Sequence, residues 1–139
     1  MSEREEIRER KAERMRERQE GSDGESSTAS DAETPEEPVH VTGPDHMEEL
    51  VSEHDVVLAD FYADWCGPCK MIEPVVEEIA AETDAAVAKV DVDAQQGLAR
   101  QYQVQGVPTL YLFADGEPVE QVVGLKQKPE LVALVEQYV

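Results

Sequence analysis

The order of hydrophobic segments predicts an α/β domain, a central mixed sheet of about five strands flanked by about four helices. Three observations carry that expectation. From Val39 onward, strand-like and helix-like apolar runs alternate as β-α-β-α-β-α-β-β-α. Alternation followed by a hairpin implies a mixed sheet with helices on both faces. Val56–Tyr62 is almost continuously apolar, as a strand covered on both sides must be. Asp115-Gly116 separates the runs Thr109–Ala114 and Pro118–Val123, a two-residue hairpin signal.

The elements follow in order. Val39–Val41 is a short strand, and Pro44 opens a helix that puts Met47, Leu50 and Val51 on one face. Between Cys66 and Glu82 the apolar positions Met71, Ile72, Val75, Val76, Ile79 and Ala80 recur at helical spacing, and Pro74 is expected to kink that helix. Ala86–Val92 forms the next strand. Gln95–Tyr102 is a short helix with Leu98 and Tyr102 inward. Pro129 opens a last helix that buries Leu131, Val132, Leu134, Val135 and Tyr138.

The first 38 residues stand apart. Residues 1–20 carry seven acidic and seven basic side chains, with Ile7, Ala12 and Met15 as the apolar members after Met1. Pairs such as Glu6–Arg10 and Glu13–Arg16 favour helix. Any such helix is solvated and marginal: a charged, frayed tail, or a docking helix for a partner that the residues do not name. Residues 21–38 are rich in Ser, Thr, Gly, Pro and acid and contain no Lys or Arg. They bury too little apolar surface to offset chain entropy and read as a disordered linker. The expected organisation is therefore a charged extension over 1–38 and one folded domain over 39–139.

Net charge is −20, which excludes nucleic acid as a main partner because phosphates would be repelled. Residues 41–139 hold 19 Asp or Glu against five Lys or Arg. An acid-rich, lysine-poor surface resembles proteins of salt-loving microbes, in which salt screens the repulsion. No run approaches the ~18 apolar residues of a membrane span, and Ile7 and Met15 lie among charges where a signal peptide needs an apolar core. The expected location is the cytoplasm, where a lone cysteine pair is more often catalytic than a staple.

That pair is Cys66 and Cys69, three residues apart where a buried strand hands over to a helix. The first turn of a helix brings such sulfurs within bridging distance. Unpaired N–H groups and the helix dipole at that end favour a thiolate on Cys66. Pro68 suits an early helical position because its missing N–H leaves no bond unmade. The alternatives are an inert buried pair and half a zinc site, the latter needing a second pair of ligands. There are no other cysteines, and His40, His46 and His54 are spaced by six and eight. Asp91-Val92-Asp93 resembles the start of a calcium loop, but Gln96 and Tyr102 occupy the positions that need Gly and Glu. The two Asp residues are expected to end a strand and cap the next helix.

Phe61-Tyr62-Ala63-Asp64-Trp65-Cys66-Gly67-Pro68-Cys69-Lys70 resembles the thioredoxin active-site signature. Gly106-Val107-Pro108-Thr109 is similar to the family's cis-proline loop, and Val123-Gly124 to its later glycine. The resemblance runs from about Val39 to Val139, and Gly-Pro between the cysteines is typical of the reducing members. It implies the thioredoxin fold, a Cys66 nucleophile and a Cys69 resolving thiol. Thioredoxins are themselves the standard illustration of a thiol made acidic in this motif. The resemblance further makes Asp60 the buried proton acceptor, tuned by Lys89. Trp65, Gly67, Pro68, Val107, Pro108 and Gly124 become the substrate-facing surface. Tyr62 departs from the pattern, since many members carry a second tryptophan there.

By their own chemistry these positions leave other readings open. Asp60 could reach solvent from a strand end, Lys89 could be an exposed strand lysine, Trp65 a core aromatic and Pro108 a trans proline opening a strand. The activity expected is protein-disulfide reduction by thiol–disulfide exchange, with re-reduction by a flavoprotein thioredoxin reductase. No cofactor or metal is expected on the chain, and a monomer is. A reductant dedicated to one pathway and a redox-dependent interaction module are the alternatives.

Overall fold

The protein is described from a computed structural model over residues 34–139; the charged helix and most of the linker expected upstream lie outside the described residues. The elements are β1 (Val39–His40), α1 (Pro44–Glu53), β2 (Val56–Tyr62), α2 (Gly67–Glu82), β3 (Ala86–Asp91), α3 (Gln96–Gln101), β4 (Thr109–Ala114), β5 (Glu117–Val123) and α4 (Lys128–Glu136). The strands form one sheet in the order β1-β3-β2-β4-β5. β3 pairs parallel with β1 and β2, whereas β4 pairs antiparallel with β2 and β5.

The two-residue period of β2 divides the core. Val56 and Leu58 face α2 and α4, packing with Ile72, Val76, Ile79, Leu131 and Val135. Val57, Ala59 and Phe61 face the other way, onto Met47 and Leu50 of α1 and Leu98 of α3. Tyr102, Tyr111 and Phe113 gather on that second face, with ring centroids 5.6–6.3 Å apart. The continuous apolar run of β2 is thus a central strand buried on both sides.

The sequence expectation differs at two places. Met71 is 66% exposed, because it lies off the Ile72–Val76–Ile79 row that faces the sheet. Asp91 does not cap α3, whose N-cap is Gln95 with no side-chain bond. Instead Asp91 Oδ1 accepts from the N–H groups of Asp93 (2.9 Å) and Ala94 (3.3 Å), closing the turn that follows β3. Among the described residues no helix is long and apolar enough to cross a membrane.

Candidate active site

Cys66 is the N-cap of α2, with Gly67, Pro68 and Cys69 forming the first turn. The Cys69 N–H donates to Cys66 Sγ at 3.2 Å, so the sulfur occupies the place where a serine or aspartate oxygen usually caps a helix. Cys66 and Cys69 are joined as a disulfide with their Cα atoms 5.3 Å apart. Both side chains are buried, in a small cluster with Ala63, Tyr62, Val92 and Val107. On reduction, that same N–H and the helix dipole would face a thiolate on Cys66.

Asp60 belongs to β2, the strand that leads into this turn. The parallel register of β2 and β3 sets Asp60 beside Lys89, both on the face that carries α2. Lys89 Nζ donates to Asp60 Oδ2 at 2.8 Å, with the carboxylate fully buried and the lysine nearly so. The ammonium also sits 4.2 Å from the centre of the Tyr62 ring. Asp60 Oδ1 has no hydrogen-bond partner among the described residues. Burial raises the Asp60 pKa above the usual carboxylate value, the Lys89 charge and hydrogen bond pull it back, and the Glu73 charge pushes it up again. Lys89 and Cys69 share the lining of a cavity of about 190 Å³.

The outer surface of the site comes from three loops. Trp65 is 71% exposed, and its indole N–H donates to Asp93 Oδ2 at 2.9 Å. Cys66 Sγ lies 3.7 Å from the carbonyl oxygen of Val107, and the Val107–Pro108 peptide is cis. Thr109 Oγ1 donates to the Gly106 carbonyl at 2.6 Å, bracing that loop. Gly124, at φ +92°, donates its N–H to the Pro108 carbonyl at 2.9 Å; a side chain would be strained in that conformation. A cleft of about 110 Å³ runs between Trp65, Val92 and residues Val104–Val107. Exposed Val123 and Leu125 flank Gly124.

Of the residues singled out from the sequence, Cys66, Gly67, Pro68 and Cys69 form the first turn of α2, Asp60 and Lys89 pair on the sheet face beneath that helix, and Trp65, Val107, Pro108 and Gly124 supply the surrounding loops. Three contributors escaped that reading: Asp93, which holds the indole; Val92, which packs on the cysteines; and Glu73, whose carboxylate is 4.0 Å from Lys89 Nζ. The Cys69–Glu73 spacing of four on one helix was the available signal for Glu73.

Comparison with known proteins gives one answer. The Thioredoxin family profile matches residues 37–137. A thioredoxin of Mycobacterium tuberculosis is 50% identical over 96 residues, which are 68% of this chain and 83% of that protein. A bifunctional thioredoxin reductase/thioredoxin of Mycobacterium leprae is 43% identical over 109 residues, 77% of this chain and 24% of that protein. Among solved structures, a mutant thioredoxin from Halobacterium salinarum is 60% identical with a TM-score of 0.75, covering 77% of this chain and 95% of that one. A Schistosoma mansoni thioredoxin is 31% identical with a TM-score of 0.69, covering 76% and 99%. A redox-active cysteine pair at a strand-to-helix junction, in a five-stranded mixed sheet with four helices, and relatives of this closeness make the chain a thiol–disulfide oxidoreductase that belongs to the thioredoxin family.

Proposed function

We propose that this chain is an acidic, reducing thioredoxin of the Cys-Gly-Pro-Cys type, acting on protein disulfides as a monomer in the cytoplasm. The observation that carries the reading is the Cys66–Cys69 disulfide at the N-terminus of α2, on the sheet face that also holds the buried Asp60–Lys89 pair. The Cys66 thiolate attacks one sulfur of a substrate disulfide, forming a mixed disulfide and releasing the other substrate sulfur as a thiolate. The Cys69 thiol then passes its proton to Asp60, directly or through water. Its thiolate attacks Cys66 Sγ, the bond to the substrate breaks, and the second substrate thiolate leaves. Lys89 tunes Asp60. Trp65, Gly67, Pro68, Val107, Pro108 and Gly124 form the substrate platform, with the Val107 backbone pairing with an extended substrate chain.

A flavoprotein thioredoxin reductase re-reduces the disulfide in this reading; the fused Mycobacterium leprae relative supports that partner. The acid excess and the likeness to the Halobacterium salinarum protein support a salt-adapted chain. Its stability should then rise with salt over the molar range, and a flat response would count against that part. Residues 1–38 are read as an extension outside the catalytic domain.

The direct test is turbidimetric reduction of insulin by dithiothreitol. Parent protein should accelerate it and Cys66→Ser should not; equal rates would sink the reading. Cys69→Ser should instead accumulate a mixed disulfide with substrate.

A further inference from the structure

Lys89 is the point where two cavities meet. The smaller one, of about 190 Å³, is lined by Cys69 and Tyr62 as well as Lys89. The larger, a cleft of about 760 Å³, lies between the segment before β1 and α2, with Glu36, Glu37 and Glu77 in its wall. His40, Glu73 and Lys89 line both. Glu73 follows Cys69 by four residues on α2, so the two share the helix face turned toward β3.

One ammonium therefore serves two carboxylates. Lys89 Nζ is 2.8 Å from Asp60 Oδ2 and 4.0 Å from Glu73 Oε1. Asp60 is sealed from solvent, whereas the Glu73 side chain is 49% exposed. A buried carboxylate given sole claim to a lysine is a settled ion pair and a poor base. A second anion at the same ammonium weakens that claim. We propose that Glu73 is a positioning residue for the Cys69 step: it holds Lys89 from the cleft side and so leaves Asp60 able to accept the Cys69 proton.

The proposal rests on the role given above to Asp60. The charge of Glu73 raises the Asp60 pKa, in the same direction as burial and against Lys89. Other ionisable groups surround the pair: Tyr62 of β2 beneath Lys89, His40 of β1, Asp64 and Lys70 around Cys69, and Glu36, Glu37 and Glu77 along the cleft. Among the described residues, Asp60 and Glu73 are the carboxylates within ion-pair range of Lys89.

The test compares parent, Glu73→Gln and Glu77→Gln. Glu77→Gln removes an equal charge from the same cleft without touching an ion pair of Lys89, and both positions are surface groups whose amides leave the core untouched. The Asp60 carboxyl is titrated by carbon-13 NMR in the oxidised protein, where the cysteines are silent, at the lowest salt that keeps the chain folded. The expected result is an Asp60 inflection at lower pH in Glu73→Gln than in parent, with Glu77→Gln superposing on parent. Molar salt should shrink the difference, because half-exposed Glu73 is screened. The pH profile of insulin reduction should move the same way. Superposed titrations for all three proteins, or an equal shift in Glu77→Gln, would overturn the proposal. A shifted titration with an unmoved profile would overturn it at the chemical step. Asp60→Asn separates the two ideas: if its reduction profile matches parent, the assignment of Asp60 is what fails, whatever Glu73 does to Lys89.

Discussion

Replacing Lys89 by Met removes the cation from the sealed Asp60 carboxylate while keeping most of the lysine's apolar stem. Without the ammonium at 2.8 Å, the Asp60 pKa rises further, and the carboxylate escapes its predicament by binding a proton. That escape sets a ceiling. Holding a carboxyl protonated at pH 7 against an unfolded value of 3.8 costs about 4 kcal/mol at ~1.4 kcal/mol per pH unit. Removing one partner of a buried pair commonly costs ~3–5 kcal/mol, which agrees. Asp60 is already raised in the parent, so parent and variant share part of the cost.

The sign follows from proton binding. A raised carboxylate makes the folded state bind more protons than the unfolded one, so stability falls as pH rises through that window. Below the parent's Asp60 titration the two proteins differ by a nearly pH-independent offset from the lost ammonium contacts with Tyr62 and Glu73, about 1 kcal/mol for the cation–π contact. Above it, the variant should lose up to ~1.4 kcal/mol more per pH unit, approaching but not exceeding the ceiling at pH 7. Urea unfolding of the oxidised proteins, followed by circular dichroism from pH 5 to 8 at fixed salt, measures the difference. Asp60→Asn in the Lys89→Met background should abolish the pH dependence. A difference that is flat across this range, or a double variant that keeps the slope, would refute the reasoning.

Asp93→Ala deletes the acceptor of the Trp65 indole, an exposed bond worth about 1 kcal/mol. Stability should therefore change by ~1 kcal/mol or less, while KM for insulin rises and the alkylation rate of reduced Cys66 stays put; an unchanged KM would remove Trp65 positioning from the account. Lys128→Met cuts ion pairs to Glu78 at 3.0 Å and to the buried Glu82 at 2.9 Å. A loss of ~1–3 kcal/mol in urea is expected, between the values for surface and buried pairs. Glu78→Gln should cost less, because that side chain is 35% exposed.

Much of the fold was legible because its elements announce themselves locally. The continuous run of β2, the 3.6-residue row Ile72–Val76–Ile79 and the Asp115-Gly116 turn each state a conformation without reference to the rest of the chain. The order β1-β3-β2-β4-β5 is a statement about neighbours, which alternation alone does not carry. Met71 failed because a helix position one residue out of phase turns a large apolar side chain to solvent, and an apolar letter does not record phase. Asp91 failed for a related reason: an Asx turn and an N-cap use the same side chain and differ only in which N–H groups lie in reach. In the site, the cysteine spacing and the lone acid in β2 were visible, being local irregularities. Asp93 and Glu73 are ordinary acids in a chain of 32 acidic residues. Distance to Trp65 and Lys89 marks them out, and distance appears only on folding.

The buried pair also ties the chemistry to the sheet. Asp60 and Lys89 are register partners on adjacent parallel strands, so each fixes the other in the layer beneath α2. A slip of one residue would invert the faces of β3. Lys89 would then enter the layer of Phe61, Leu98 and Phe113, and Asp60 would be left sealed with no cation. A buried charge penalises that slip more heavily than any exchange of Val for Ala along the same strands, because a stranded ion costs several kcal/mol and a displaced methyl group about one. If Asp60 accepts the Cys69 proton as proposed, the pair that tunes it also holds β3 in register with β2. The neutral double variant, with no charge left to misplace, is therefore the proper reference for what the ion pair contributes to register.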